Sequence, residues 1–403
     1  MEIRPFRGFA PSPESAERVV CVPYDVVDRA ESAALAAGNP LSLLHVDRAE
    51  IDLPEESNPY ADRVYAKARE NFLHLQSTGA IVREPVPCLY LYRLTMGRHT
   101  QTGIAATVVA KDYEDGLVKK HEKTRPDKED DRTRLIDTIG AQTGPILLAY
   151  RQTPDLKAVC DEIISRPPDF DLTATDQIRH EVWRITATSP LTNAFTAIPA
   201  VYIADGHHRA ASGARVAALR RQNGTNTEAS DGILAVLFPS DELQILAYNR
   251  VVRTLNGLTN TEFLDALRKV VRVTPGASKT PATRCRVSMY LNHDWYDLQW
   301  DEPRGLDPVS SLDVSILQDR VLAPLLGIED PRRSPEIEFV GGIRGPAELE
   351  QKVDSGGAAV AFSMFPTTVE EVMSIADAGQ IMPPKSTWFE PKLRSGFFIH
   401  SLE

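Results

Sequence analysis

Apolar positions recur at helical spacing in several parts of the chain, and each repeat ends at a helix-stopping residue. From Tyr60 to Gln76 they fall three or four residues apart, as one face of an amphipathic helix requires, and Gly79 follows. An alanine-rich run from Asp28 to Ala37 ends at Gly38 in the same way. The same pattern predicts further helices over residues 130–139, 154–165 and 210–221.

Short runs of β-favouring residues between these helices predict strands. Cys88–Leu94 and Thr102–Val109 flank the turn Met96-Gly97-Arg98, which is typical of a hairpin. Apolar runs over residues 145–150, 200–203, 232–239 and from 248 onward predict buried strands. Arg166–Thr175 is polar and contains prolines, so we expect an internal loop there.

A domain boundary is predicted at Asn256-Gly257, a pair typical of a turn. Beyond it, Cys285–Leu291 and Trp295–Trp300 predict a hairpin. Strand and helix then alternate over residues 336–340, 347–353, 358–362 and 368–376. This alternation favours an α/β or α+β fold. We therefore predict two domains, residues 1–256 and residues 257–403, the second of which is α/β.

Composition narrows the class of protein. A chain of 403 residues with 42% hydrophobic content can bury a sizeable core. No stretch approaches the roughly 20 apolar residues of a membrane span, and the start of the chain lacks a signal-peptide pattern, so we expect a cytoplasmic protein with no membrane partner. The four cysteines form no C-x-x-C pair. The net charge of −11 argues against nucleic acid and favours a small-molecule partner, while a homo-oligomer remains open.

The turn before the helix over residues 210–221 carries the strongest chemical signal. A strand leads through Asp205 and Gly206 into a helix start, where free N–H groups and the helix dipole attract an anion. Arg209 can chelate phosphate, Gly206 permits close backbone approach, and His207 and His208 offer further donors. Asp205 could act as a base or a Mg²⁺ ligand. The alternative is that Asp205 only caps the helix and the histidines are polar turn residues.

A second charged segment, Lys119–Glu129, could serve the same site. Glu122 would supply a carboxylate base, and Lys120 and Arg125 would neutralise phosphate charge. A solvated loop of mixed charge explains the segment equally well. Tyr24 and Asp25, at a predicted strand end, are either substrate contacts or structural residues.

The third candidate segment runs from Met382 to Lys392. Its Pro383-Pro384 pair could fix a binding loop in which Lys385 binds phosphate and Ser386 and Thr387 bind substrate. Alternatively, the pair could dock a C-terminal tail. It is not a Walker A loop. The glycines of Gly341–Gly345 are explained by a tight turn or by close approach to an anion.

The segment Asp205-Gly206-His207-His208-Arg209 resembles the D-G-H-H-R signature of ADP-dependent free serine kinases, which have a ParB/sulfiredoxin-like fold. The resemblance implies a nucleotide (ATP or ADP) with Mg²⁺, L-serine as acceptor, and an upstream glutamate that activates the hydroxyl. Glu122 is the best positional candidate for that glutamate. The full chain resembles the long bacterial proteins of domain-of-unknown-function family 1015, through Arg4–Gly8, Pro23–Val27, Lys120–Arg125, Val340–Gly345 and Met382–Lys392.

Together these features predict a phosphotransferase that acts on a small hydroxyl metabolite, most simply a free serine kinase-like enzyme. Asp205, Glu122 and His207 would be catalytic, and the turn with Arg209 would hold phosphate. The alternative is a nucleotide-binding regulatory or sensor protein of the ParB-like type, in which the same turn binds nucleotide as a switch ligand.

Overall fold

The chain forms two units, and it passes from the first to the second and back again. The structure, a computed structural model, describes residues 1–403. The first unit contains Met1–Leu243 together with Pro391–Glu403, and the second contains Gln244–Glu390. None of the helices is both long and apolar enough to cross a lipid bilayer.

The first unit combines a large sheet, two small sheets and nine α-helices. Its strands up to the crossing are β1 (Ile3–Arg4), β2 (Phe9–Pro11), β3 (Ile81–Arg83), β4 (Leu89–Met96), β5 (His99–Val109), β6 (Val118–Lys119), β7 (Ala141–Gln142), β8 (Ile146–Tyr150), β9 (Phe170–Thr173), β10 (Arg179–Ile185), β11 (Val201–Asp205) and β12 (Gly232–Pro239). Its helices are α1 (Ala16–Val19), α2 (Arg29–Ala36), α3 (Leu44–Asp47), α4 (Asp62–Ser77), α5 (Ala110–Glu114), α6 (Pro126–Ile139), α7 (Pro154–Ile164), α8 (Ser189–Phe195) and α9 (His207–Gln222).

The second unit is built on a six-stranded antiparallel sheet. Its strands are β13 (Gln244–Leu246), β14 (Tyr248–Val252), β15 (Arg272–Pro275), β16 (Arg286–Leu291), β17 (Asp294–Gln299), β18 (Ile337–Gly341), β19 (Val360–Met364) and β20 (Trp388–Glu390). Its helices are α10 (Asn260–Val270), α11 (Asp313–Leu317), α12 (Gly345–Asp354) and α13 (Val369–Asp377). The sheet order is β15-β17-β16-β19-β14-β18, and β13 pairs with β20 separately. The last strand, β21 (His400–Ser401), pairs with β7 in the first unit.

The large sheet of the first unit is mixed and is covered on both faces. Its order is β6-β11-β8-β12-β5-β4-β10-β9, with β1 added beside β5. The pairs β11–β6 and β12–β8 are parallel and the others are antiparallel. Every residue of β12 is buried, which explains its unbroken apolar run, because a strand covered on both faces needs no polar side. Helix α9 approaches β12 closely, since a Cβ at Gly213 would lie 3.3 Å from Ile233 Cγ2.

The predicted α/β or α+β class is confirmed, with strand and helix alternating as expected. The predicted hairpins lie at β4–β5 and β16–β17. The expected loop at Arg166–Thr175 is wrong in part, because Phe170–Thr173 forms edge strand β9 beside β10. Its polar positions, such as Asp171 paired with Arg179, belong to an edge strand with a solvent-facing side. Strand β10 and helix α8 lie in a stretch where the residue pattern predicts no element.

The unit boundary lies elsewhere than the predicted 256/257 division. Strand β14 comes before that point, yet it pairs with β18 and β19 of the second unit. Asn256 and Gly257 do have the positive φ angles of a turn, but the turn lies inside the second unit. Residues 391–403 return to the first unit because their backbone pairs there, with Ser395 on Cys21 and Ile399 on Phe9.

Candidate active site

The site is organised by the junction between β11 and α9. The register of β11 against β8 shifts between Ile203 and Asp205, and such a bulge re-aims the side chain at the strand end. Gly206 follows with φ 91°, a left-handed conformation that favours glycine. A Cβ at Gly206 would also lie 3.1 Å from Arg209 Nε, so glycine is needed for close packing as well. The predicted strand, glycine turn and helix are therefore confirmed.

Arg209 is held by carboxylates from two parts of the first unit. Its side chain is 8% exposed, and its Nη2 lies 2.8 Å from Asp205 Oδ2 and 3.2 Å from Asp25 Oδ2. Nη1 donates to the backbone carbonyl of Pro145. The remaining donor, Nε, is buried and has no acceptor in the protein. Arg209 thus joins Asp25 to the turn and keeps one N–H free for an additional acceptor.

Lys392, which returns with the C-terminal segment, is the second cation on Asp205. Its Nζ lies 3.0 Å from Asp205 Oδ1, so both carboxylate oxygens face a cation. Burial alone would raise the pKa of Asp205, but the charges of Lys392 and Arg209 outweigh it and lower the pKa to about 2. Asp205 is therefore ionised at neutral pH, and its negative charge is balanced by two positive charges.

The segment that carries Lys392 is anchored by a buried polar cluster. Arg394 pairs with Asp176, and its Nε lies 3.4 Å from His180 Nε2. The hydroxyl of Tyr92 lies 2.7 Å from His180 Nδ1. Burial, followed by the charge of Arg394, lowers the pKa of His180 to about 3, so this histidine is neutral. The cluster fixes the chain two residues beyond Lys392.

Two histidines form a buried pair beside Glu122. The rings of His121 and His207 meet edge to face with their centroids 4.4 Å apart, and His207 Nε2 lies 3.5 Å from the His121 backbone nitrogen. Burial lowers the pKa of His121 to about 4 and that of His207 well below its ordinary value, so both rings are neutral. In the neutral ring, His207 Nε2 accepts a hydrogen bond from the His121 backbone N–H, so the proton is on Nδ1, which lies 3.7 Å from Glu122 Oε2.

Glu122 itself remains accessible, with 57% of its side chain exposed. It lies near His207, two residues after Asp205 along the chain, and its predicted action together with Asp205 stays a prediction. His207, at 5% exposure, has little surface for a ligand and is better placed to position Glu122.

His208 is half-buried and ties the charged loop to the turn. Its Nε2 accepts the backbone N–H of Arg125 at 3.1 Å. The Arg125 side chain instead pairs with Asp127 in solvent, and the Lys120 ammonium lies 4.1 Å from the centre of the Tyr113 ring. The phosphate-binding roles predicted for Lys120 and Arg125 stay predictions.

Tyr24 and Asp25 each contact an arginine of the site. Asp25 reaches Arg209, and the Tyr24 ring lies 4.1 Å from the Arg132 guanidinium carbon. Burial raises the pKa of Tyr24 to about 12, so its phenol stays protonated. Tyr24, Arg132 and Arg209 line a cavity of about 30 Å³ together with Asp47, whose Oδ2 is buried without a partner. The cavity has room for about one water molecule.

Lys385, Ser386 and Thr387 belong to the second unit, whereas Asp205 and the residues that contact it belong to the first. Lys385 has φ 52°, and its ammonium lies 5.5 Å from the centre of the Tyr248 ring. Ser386 Oγ donates to the carbonyl of Pro383 at 2.6 Å. Their predicted roles at the Asp205 site therefore stay predictions. The predicted segment Met382–Lys392 is divided between the units, and only its end reaches Asp205.

The side chains around Asp205 do not form a site that could hold a magnesium ion with protein ligands alone. Mg²⁺ requires oxygen ligands with free lone pairs, whereas Lys392 and Arg209 face both Asp205 oxygens. No group of three or more histidine, cysteine, aspartate or glutamate side chains is arranged to hold a metal ion. The role of Asp205 as a metal ligand stays a prediction.

Three contributors to the site were missed by reasoning from the sequence. His121 lies in a charged run, Arg132 in a predicted helix and Lys392 at the end of a polar segment, and the sequence pattern assigns none of them a contact at the Asp205 turn. Lys392 is 187 residues from Asp205, and no periodicity or spacing links them. A buried histidine or arginine in a polar run gives no signal that separates it from its solvated neighbours.

Replacing Lys392 with methionine is expected to make the protein more sensitive to acid. The pKa of Asp205 lies below its ordinary value of 3.8, so ionised Asp205 stabilises the fold above that pH and the stabilisation is lost as pH falls towards about 2. Without Lys392, burial is opposed by fewer charges and the pKa of Asp205 rises. The midpoint of acid unfolding, followed by circular dichroism, should move to higher pH.

The matched control is Lys157→Met, which removes an exposed lysine paired with Asp161. Its acid midpoint should stay at the wild-type value, because solvent screens exposed pairs. A Lys392→Met protein with the wild-type midpoint would mean that Lys392 does not stabilise the Asp205 carboxylate.

Residues 3–315 match the family described as "Protein of unknown function (DUF1015)". The chain belongs to this family. The predicted membership is thereby confirmed, and the family description assigns no activity. No curated protein matches the chain.

Several solved structures resemble this family member weakly. A free serine kinase in complex with AMP is 14% identical with a TM-score of 0.35, and the match covers 73% of this chain and 92% of the kinase. A mutant free serine kinase in complex with ADP is 16% identical with the same TM-score and coverage. SbnI with a C-terminal truncation, from Staphylococcus aureus, is 11% identical with a TM-score of 0.38, covering 73% of this chain and 87% of SbnI. Likenesses this weak carry no argument about activity.

Proposed function

We propose that the first unit transfers a phosphoryl group from a nucleotide to the hydroxyl of a small metabolite. One arrangement carries the proposal: the N-terminus of α9 presents backbone donors beside two cations, Arg209 and Lys392, and the carboxylate of Glu122 contacts the first residue of the helix. Phosphoryl transfer requires mainly charge neutralisation and the positioning of an acceptor, and these are the two properties combined here.

The phosphate would bind at the start of α9. The first four N–H groups of a helix have no partner within it, and they point along the positive end of the helix dipole. The first helical bond made here is from the Ala210 N–H to the Gly206 carbonyl, at 2.9 Å. Arg209 Nε adds a buried donor without an acceptor. Asp205 holds Lys392 and Arg209 in place and prevents their charges from repelling one another.

The acceptor hydroxyl would approach Glu122. In the proposed step, the hydroxyl oxygen forms a bond to the terminal phosphorus of the nucleotide and the bridging phosphorus–oxygen bond breaks. The shortened nucleotide leaves with the electron pair of that bond, and the hydroxyl proton passes to Glu122. His207, neutral and with a proton on Nδ1, would orient the Glu122 carboxylate.

The acceptor to test first is free L-serine, because it is the one that the D-G-H-H-R resemblance implies. The purified chain is incubated with ATP, ADP or pyrophosphate, with and without Mg²⁺, in the presence of L-serine, and followed by ³¹P NMR. We expect a phosphoester resonance that appears only with acceptor. L-Alanine, which lacks the hydroxyl, is the matched control and should give none.

A nucleotide sensor is the outcome that would overturn the proposal. A sensor would bind nucleotide, detected by calorimetric titration, yet form no phosphoester with any hydroxyl metabolite in a panel. The ion triplet of Arg209, Asp205 and Lys392 would then bind phosphate without turnover.

A further inference from the structure

Arg250, on β14 of the second unit, is a buried cation without a carboxylate partner. It is 4% exposed, and its guanidinium donates to the backbone carbonyls of Tyr248 and Lys385, the latter at 3.2 Å. Its remaining contact is with the Phe339 ring, whose centre lies 5.4 Å away. Burial lowers the pKa of Arg250 to about 10, and only the Tyr248 phenol, not a carboxylate, acts against it. A buried positive charge of this kind is costly unless an anion balances it.

The other buried arginines show the usual arrangement. Arg132 lies 2.7 Å from Asp131, Arg209 lies 2.8 Å from Asp205, and Arg394 pairs with Asp176. Arg250 differs from all three. Glu390, in the same unit, accepts the indole N–H of Trp388 at 2.6 Å and forms no ion pair with Arg250. The positive charge at Arg250 is therefore left for a group outside the chain.

A second cation, Lys385, lies on a loop whose backbone contacts Arg250, because its carbonyl accepts from Arg250 Nη2 at 3.2 Å. Lys385 is exposed and has φ 52°, and its ammonium lies 5.5 Å from the centre of the Tyr248 ring. The loop is tied by Thr367 Oγ1, which donates to the Ser386 carbonyl at 2.9 Å. A loop held in an unfavourable conformation for lysine is typical of a functional segment.

Aromatic rings complete the surroundings. The Tyr248 and Trp388 rings have centroids 4.9 Å apart. The indole lies directly over the Gly341 backbone, because a Cβ there would be only 1.8 Å from Trp388 Cζ3. The sequence allowed two explanations for Gly341, a tight turn or an anion contact. The structure shows a third, because the packing of Trp388 leaves no room for a side chain at this position. The Trp388 ring provides a reporter for anything bound beside Lys385.

We propose that Arg250 and Lys385 form an oxyanion site in the second unit that binds the phosphate group of a small molecule. Two cations without an acidic partner match the charge of a phosphate monoester, about −1.5 to −2 at neutral pH. Tyr248 and Trp388 give this site apolar walls that are rigidly held. The proposal stands independently of the phosphoryl transfer proposed for the first unit.

The test uses the full chain labelled with 5-fluorotryptophan and observed by ¹⁹F NMR. The chain has four tryptophans, and the resonance of Trp388 is assigned from Trp388→Phe. Inorganic phosphate and AMP should each shift the Trp388 resonance, whereas acetate at equal ionic strength should not. Lys385→Met should weaken the apparent phosphate affinity about tenfold or more, and Lys269→Met, an exposed lysine on α10, should leave it unchanged. Because the signal belongs to Trp388, failure of the first-unit site leaves this result unaffected.

Thermal melting of Arg250→Met supplies the second measurement. In phosphate-free buffer its Tm should be equal to or higher than that of wild type, because methionine removes an unbalanced buried charge at similar volume. Phosphate should raise the Tm of wild type by more than that of Arg250→Met, which keeps only the phosphate site proposed for the first unit. Arg132→Met, which leaves Asp131 unpaired, should melt lower than wild type.

Two results would overturn the proposal. A Trp388 resonance that phosphate and AMP do not shift would mean that no phosphate binds there. An equal shift with acetate would mean that the site does not select phosphate over other anions. If Arg250→Met does not fold, Arg250 serves the structure through its two carbonyl contacts, and the Lys385→Met titration then decides whether an anion also binds.

Discussion

An Arg209→Ala protein is expected to lose about 3 kcal/mol of unfolding free energy, near the lower end of the range for breaking a buried ion pair. The variant would leave Asp205 and Asp25 without their shared partner and the Pro145 carbonyl without its donor. The two carboxylates are 29% and 36% exposed, so water offsets part of the loss. Chemical denaturation followed by circular dichroism measures the difference.

The control is Arg215→Ala, on the same helix α9. Arg215 is 46% exposed and pairs with the exposed carboxylate of Asp130, so its removal should change the unfolding free energy by less than about 1 kcal/mol. If Arg209 served only as a phosphate ligand, Arg209→Ala would unfold at the same denaturant concentration as Arg215→Ala. That result would contradict the structural role and leave binding as its single function.

The difference between these two arginines explains what the sequence could and could not reveal. The strand, glycine turn and helix around Gly206 were predictable because an apolar run, a glycine and an alanine-rich repeat each act locally. The identity of Arg209 as a phosphate candidate followed from the same segment. Its burial against Asp25 depends on a residue 184 positions away, and no local pattern encodes that distance.

The same reasoning applies to the ends of the units. Asn256-Gly257 forms the turn that its residue types indicate, but a turn inside a unit and a turn between units have the same local chemistry. The return of residues 391–403 to the first unit depends on backbone pairing with Cys21 and Phe9. Lys392 reaches Asp205 only because of that pairing. Both the boundary and the second cation of the site are therefore tertiary features.

The sequence also could not predict which buried arginines have a carboxylate partner. Arg132 and Arg250 are both arginines in otherwise ordinary elements, one in α6 and one in β14. Only the structure shows that the first has a carboxylate beside it and the second does not. The sequence placed a phosphate role on Lys385 from its neighbouring prolines, but it gave no reason to consider Arg250.

The largest expected effect on activity is that of Glu122→Gln, if the phosphoryl transfer proposed above is correct. Loss of a general base lowers turnover by about 100- to 10,000-fold, and we expect kcat to fall within that range. Glu122 is 57% exposed and lies outside the ion triplet, so the fold and the nucleotide affinity should be retained. Steady-state rates of phosphoester formation and calorimetric nucleotide titration measure the two quantities separately. Glu14→Gln, another exposed glutamate, should turn over at the wild-type rate.

Glu122→Ala separates a base from a residue that only orients its neighbour. Glutamine keeps a carbonyl oxygen beside the Nδ1–H of His207, whereas alanine does not, so the surroundings of that N–H should change only in Glu122→Ala. The ¹⁵N shift of His207 Nδ1 reports this change. If Glu122 is the base, both variants lose turnover although the His207 shifts change only in the alanine variant. If Glu122→Gln instead keeps wild-type turnover and Glu122→Ala loses it, the carboxylate takes no proton from the acceptor, and Glu122 acts by holding His207.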